Sequence, residues 1–203
     1  MTKKIITISR AFGSGGRTIG KAVAERLGIP CYDKELVDRV AEESGFHAGF
    51  IEEAGEYAPV TNSFLFNIAV SSNPMAMMHS MSMADQLFVC QTNVIRKLAD
   101  EGPCVIIGRC ADYILRDQKP LRIFVYADLE SRIARCMDRR SDGEDLTEKE
   151  MKKQILAMDK NRARYYEFYT GTKWGDKLNY DLCINTTGTV IKEIVPAIAR
   201  ILK

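Results

Sequence analysis

Lys4-Ile5-Ile6-Thr7-Ile8-Ser9-Arg10-Ala11-Phe12-Gly13-Ser14-Gly15-Gly16-Arg17-Thr18 is the stretch on which the fold turns. A short β-branched run ends in a glycine-rich loop that neither a helix nor a strand tolerates. From Thr18 onward Ile19, Val23 and Leu27, with Ala22 and Ala24 between them, follow helical spacing until Gly28-Ile29-Pro30 stops the helix. The order is therefore buried strand, glycine loop, helix. Such a loop turns successive backbone N–H groups toward one point, and the helix start adds partial positive charge, so the element is built for a phosphate chain. The competing reading is a turn that only joins strand to helix. A dinucleotide fingerprint fits worse, because Gly13-Ser14-Gly15-Gly16 lacks its continuation and Asp33 is better used as a helix cap. Against the G-x-x-x-x-G-K-[ST] pattern, residues 11–18 place Ala11, Gly16, Arg17 and Thr18 at the four defined positions, with arginine for lysine.

Beyond the loop, strand and helix signals alternate. Cys31-Tyr32 reads as a brief strand, followed by a helix with Leu36, Val37 and Val40 on its core face. A helix over 82–100 carries Leu87, Cys90, Val94, Ile95 and Leu98. Cys104-Val105-Ile106-Ile107 and Leu121-Arg122-Ile123-Phe124-Val125-Tyr126 read as buried strands, and Tyr180-Asp181-Leu182-Cys183-Ile184-Asn185 as the last one. Asp128 and Thr147 are positioned as helix caps, the latter with Glu150 completing a capping box, and a helix over 190–202 closes the chain. This alternation predicts a parallel sheet covered by helices on both faces, with ligands at the carboxyl ends of its strands.

Composition narrows the function. The 203 residues carry 29 Lys+Arg against 27 Asp+Glu, a net charge of +2, so a polybasic nucleic-acid binder is excluded and no nucleic-acid partner is expected. At 46% hydrophobic and 28% charged, one folded domain over 1–203 is the expectation. No stretch reaches the ~20 apolar residues of a membrane helix, so a soluble cytoplasmic protein without a membrane partner is expected. The six cysteines stand apart without a C-x-x-C pair and read as reduced core thiols.

Four passages resemble the cytidylate kinase-like family of nucleoside monophosphate kinases: the opening strand, loop and helix through Leu27-Gly28; Val105-Ile106-Ile107-Gly108-Arg109; Ala127-Asp128-Leu129-Glu130-Ser131-Arg132-Ile133-Ala134-Arg135; and Asp159-Lys160-Asn161-Arg162. The resemblance implies an α/β, P-loop kinase-like fold with a five-stranded parallel sheet. It also implies a helical acceptor-binding insertion, placed at 45–83, and an arginine-rich lid, placed at 132–147. Its activity would be transfer of the γ-phosphoryl of ATP, with Mg²⁺, to a small acceptor, foremost a nucleoside monophosphate. Its residues map to Gly13, Ser14, Gly15, Gly16, Arg17 and Thr18 for the nucleotide, with Thr18 on the metal side. Arg109, Asp159 and Arg162 map to the acceptor. Departures are visible too. Laid on the family's Gly-Ser-Gly-Lys-Gly-Thr, Gly16 falls on the lysine; the family's Gly-Arg-Asp reads Gly108-Arg109-Cys110; and the second helix opens Asp33-Lys34-Glu35.

Phosphoryl transfer needs positioning and charge dispersal, which arginines provide. Arg17 is the catalytic cation of the loop. Arg132, Arg135 and Arg139, three and four apart, share a helix face and, with Arg109 and Arg162 aimed at the same edge, are expected as catalytic lid residues over phosphates, the alternative being a solvated basic surface. His47 and His79 read as surface residues, and Tyr165, Tyr166, Tyr169 and Trp174 as core rather than base-stacking platforms. Met75, Met77, Met78, Met81 and Met83 form a flexible apolar cluster that either builds a homodimer contact or walls the acceptor pocket. The alternative function is a nucleotide-binding module with weak or no kinase activity, acting through a partner or a conformational change.

Overall fold

A computed structural model of the chain describes residues 5–54, 82–139 and 146–201. Its five strands are β1 (Ile5–Arg10), β2 (Cys31–Tyr32), β3 (Cys104–Ile107), β4 (Leu121–Tyr126) and β5 (Leu182–Asn185). All neighbours pair in parallel, in the order β2-β3-β1-β4-β5. The helices are α1 (Gly16–Leu27), α2 (Lys34–Ser44), α3 (Ala48–Ala54), α4 (Met83–Glu101), α5 (Ala111–Ile114), α6 (Leu129–Asp138), α7 (Glu148–Thr170) and α8 (Ile191–Ile201).

Central strands of this kind are apolar on both faces, and the period of two sorts their side chains into two cores. Ile5, Cys104 and Ile106 pack with Leu36, Val40, Leu98 and Tyr165 on one side. Ile6, Ile8, Val105, Ile107 and Ile123 pack with Ile19, Val23, Val195 and Ile198 on the other. Tyr165, Tyr166 and Tyr169 are buried, Tyr169 stacking on Phe88 at 3.8 Å. Trp174 meets Phe124 edge-on at 5.3 Å, and Gly175 packs on the same ring, which accounts for the glycine turn around it.

The helix ends follow their caps. Asp128 accepts from the Ser131 amide, Ser82 from the Asp85 amide, and Thr147 and Glu150 form the full capping box. Asp33 differs: it stands at the N-cap of α2, yet its carboxylate makes no capping bond and faces Arg17 instead. The last strand is shorter than expected, starting at Leu182, because Tyr180 and Asp181 are drawn aside, Tyr180 into the core and Asp181 onto Arg122. The six thiols are all free, but only Cys104 and Cys110 are buried; Cys183 is exposed because β5 is an edge strand.

Within the expected insertion, α3 and the start of α4 are described, and residues 55–81, with Met75, Met77, Met78, Met81 and His79, lie outside the described residues. So does 140–145 of the expected lid. Among the described residues no helix is long and apolar enough to cross a membrane. Register brings the ends of β1, β3 and β4 together, Ile8 opposite Ile107 and Arg10 opposite Val125, so the loops that follow them meet at one edge.

Candidate active site

The glycine loop leaves β1 at Arg10 and enters α1 at Gly16. Gly13 and Gly15 hold φ of +75° and +85°, a region closed to most side chains. A Cβ at Gly13 would also come within 2.8 Å of Cys136 Sγ. Gly15 is the N-cap and offers no side chain, so the first-turn amides of Gly16, Arg17 and Thr18 are left uncapped at the positive end of the helix. The loop itself is tied down. The Phe12 amide donates to Asp159 Oδ1 at 2.7 Å, Arg132 Nη1 donates to the Phe12 carbonyl at 3.3 Å and also to Asp159, and Thr186 Oγ1 donates to the Ser14 carbonyl at 2.8 Å. Ser14 Oγ is buried with no hydrogen-bond partner among the described residues.

A cavity of about 370 Å³ opens over this loop, lined by Arg10, Arg17, Arg139 and Arg162 together with loop backbone, Cys136, Leu146, Met151 and Gln154. A second, of about 30 Å³, lies beside it at the end of β3 and shares Arg10 and Arg162 with the first, adding Arg109, Ser9, Tyr165, Tyr166 and Trp174. Among the described residues, five arginines line the two cavities, and no carboxylate or histidine does.

The predicted site residues have distinct surroundings. Arg17 forks onto Asp33, Nε 2.6 Å from Oδ2 and Nη2 3.3 Å from Oδ1, with the Asp33 side chain buried and that of Arg17 54% exposed. Of the three arginines expected on one helix face, Arg139 stands at the C-cap of α6, lines the cavity and donates to Thr18 Oγ1 at 3.2 Å. Arg132 is buried against Asp159, and Arg135 donates to Thr186. They do not present one common face to the cleft, because the half-buried Asp159 and the buried Thr186 draw two of them inward. Asp159, expected beside the acceptor, is taken up by the Phe12 amide and Arg132. Arg109 donates to the Ile51 carbonyl at 2.9 Å and to Gln91 Oε1 at 3.4 Å. Arg162 donates to the Arg10 carbonyl at 3.3 Å, its guanidinium 5.4 Å from the Phe12 ring centroid.

A family model described as the cytidylate kinase-like family matches residues 5–188. The chain belongs to the cytidylate kinase-like family. The cytidylate kinase of Archaeoglobus fulgidus is 27% identical over 197 residues, covering 96% of this chain and 92% of the relative. That of Pyrococcus horikoshii is 27% identical over 186 residues, 91% and 81%. An uncharacterized protein from Eubacterium ventriosum, solved by crystallography, superposes with a TM-score of 0.70 at 29% identity over 98% of both chains. A shikimate kinase from Bacteroides thetaiotaomicron, 16% identical with TM-score 0.58 over 98% of both chains, shares the P-loop kinase fold.

In this cytidylate kinase-like chain the second cavity rests on a strained support. Gly108, Arg109 and Cys110 run consecutively at φ of +74°, +56° and +54°. For the two non-glycine residues that conformation costs about 1–2 kcal/mol each, and such strain concentrates where a side chain must be aimed. Beneath it, the Asp112 carboxyl accepts from Tyr166 Oη at 2.7 Å, and burial raises its pKa above the usual carboxylate value. Sequence reasoning missed Arg10. The signal was its place as the last residue of the strand that feeds the loop.

The chemistry of the donor set bears on the metal. Among the described residues no cluster of three or more His, Cys, Asp or Glu could hold a metal ion. Thr18 offers one hydroxyl oxygen, which accepts from Arg139, a residue that lines the first cavity. One hard oxygen suits a Mg²⁺ that takes its remaining ligands from phosphates and water.

Proposed function

We propose that this chain transfers the γ-phosphoryl group of ATP to the phosphate of a small acceptor, a pyrimidine nucleoside monophosphate. The observation that carries the reading is that five arginines and no carboxylate among the described residues line two adjoining cavities of a chain whose net charge is only +2. Family membership and relatives named cytidylate kinase support the same reading. The amides of Gly16, Arg17 and Thr18 take the donor phosphates, and Arg139 and Arg17 disperse their charge. Thr18 would hold the Mg²⁺ that accompanies the nucleotide, which neutralises phosphate charge. Arg109 and Arg162 hold the acceptor phosphate in the second cavity. Arg132, Arg135 and Asp159 act through the loop they fix.

In the transfer an acceptor phosphate oxygen attacks Pγ. A new P–O bond forms as the bond from Pγ to the β,γ-bridging oxygen breaks, and ADP leaves. A phosphate monoester has its second pKa near ~6, so the nucleophile is ionised at neutral pH and needs no general base. Cavities lined, among the described residues, by arginines and by no histidine or carboxylate suit that acceptor better than they suit an alcohol.

Coupled ADP release across a panel of nucleoside monophosphates tests the reading. Saturable turnover with CMP or UMP is expected; no turnover with any monophosphate rejects it. The pairing of Arg17 with Asp33 favours one alternative, a module that binds nucleotide without transfer. Calorimetric ATP binding beside a flat ADP-release assay would select it.

A further inference from the structure

When Gly13-Ser14-Gly15 is laid on the family's Gly-Ser-Gly, Gly16 falls where the loop lysine stands, and α1 begins at that residue. A Cβ at Gly16 would lie 2.6 Å from Arg10 Cβ, 3.2 Å from Arg10 Cγ and 3.3 Å from Val125 Cβ. The space that a side chain at this position would enter is already filled by the stem of Arg10. At its far end the same side chain lies against Gly108, where an added Cβ would come within 2.9 Å of Arg10 Cζ. Two bare glycines thus leave a slot that carries Arg10 from the loop to the end of β3. The residue lines both cavities, and its carbonyl is held by Arg162.

We propose that Arg10 is a catalytic residue, supplying from β1 the cation that the loop lacks at residue 16 and contacting the phosphoryl group as it passes between the two cavities. This rests on the kinase reading above. A guanidinium keeps its charge at any working pH and offers five donors in a fixed plane, so one side chain can bridge a donor and an acceptor phosphate. Arginines that contact the transferring phosphoryl group act mainly on kcat, by factors of roughly 10³–10⁵ for arginine fingers in other phosphoryl-transfer enzymes. The Gly16 and Arg10 changes are thus one substitution in space: the loop loses its lysine and the neighbouring strand takes over the volume and the charge.

The test compares Arg10→Met, which keeps the stem against Gly16 and Val125, with Arg10→Lys and the unaltered protein. Turnover with the best monophosphate, ATP affinity by calorimetry and thermal midpoint are read for each. A kcat at least 100-fold lower in Arg10→Met, with a midpoint near that of the unaltered protein and partial recovery in Arg10→Lys, is the expected result. A kcat within twofold for Arg10→Met overturns the proposal while leaving the kinase reading intact. If the unaltered protein turns over no monophosphate, the kinase reading falls and ATP affinity decides on Arg10. Weakening by tenfold or more in Arg10→Met supports its phosphate contact, and unchanged affinity overturns it.

Discussion

Asp159, in the middle of the long helix α7, accepts the amide of Phe12 in the glycine loop at 2.7 Å. The same carboxylate holds Arg132 of α6, whose side chain is 10% exposed, so three elements meet on one acidic group. A loop rich in glycine is expensive to order, and this tie fixes it before any ligand arrives. Asp159→Ala leaves a buried guanidinium unpaired and is expected to cost about 3 kcal/mol, at the low end for a broken buried pair. Chemical denaturation checks it, and the Asp159→Ala/Arg132→Met double variant should lose less than the sum of the single changes.

Gly16→Ala places a methyl group 2.6 Å from Arg10 Cβ. Overpacking of this kind is expected to destabilise by about 1–3 kcal/mol. In an Arg10→Gly background most of that loss should vanish, because the colliding atoms are gone. A denaturation cycle on the four proteins reads the coupling; additive effects would contradict the shared slot.

Arg17 and Asp33 form the third test. Arg17→Ala strands a buried carboxylate and is expected to lower stability by about 1–3 kcal/mol. Asp33→Asn loosens the fork and leaves Arg17 available to phosphate, so calorimetry should show tighter ATP binding than in the unaltered protein. Weaker binding would assign Arg17 a purely structural role.

Much of the fold was legible in the sequence. Ile5-Ile6-Thr7-Ile8 and Cys104-Val105-Ile106-Ile107 are apolar on both faces, which only a doubly covered parallel sheet accommodates, and the caps at Ser82, Asp128 and Thr147 mark their helices in local chemistry. The site was legible only in part. The loop and Arg139 follow from position along the chain. The redirection of Arg132 to Asp159, of Arg135 to Thr186 and of Asp33 from cap to ion pair depends on partners 16 to 51 residues away. Arg10 was hidden for the same reason, since its slot is made by Gly16 at the start of α1 and Gly108 after β3.

Burial raises the Asp112 pKa, so the folded state binds its proton more tightly than the unfolded chain does. Stability from this group is fully present below the ordinary carboxylate pKa and is lost as pH rises through the raised folded value. Asp112→Asn keeps an acceptor for Tyr166 without the charge. Relative to this variant, the unaltered protein should lose stability as pH rises above the ordinary carboxylate pKa. Denaturation midpoints over that range check the sign, and a relative gain with rising pH would contradict it.

The central claim is that residues 13–18 cradle the phosphates of a nucleotide beneath a ring of arginines. A crystal structure with Mg²⁺ and a non-hydrolysable ATP analogue tests it most directly. The account predicts phosphate oxygens within hydrogen-bond distance of the Gly16, Arg17 and Thr18 amides, with Arg139 and Arg10 in contact with the terminal phosphate. An analogue bound elsewhere, or a loop left empty at saturating nucleotide, would contradict it.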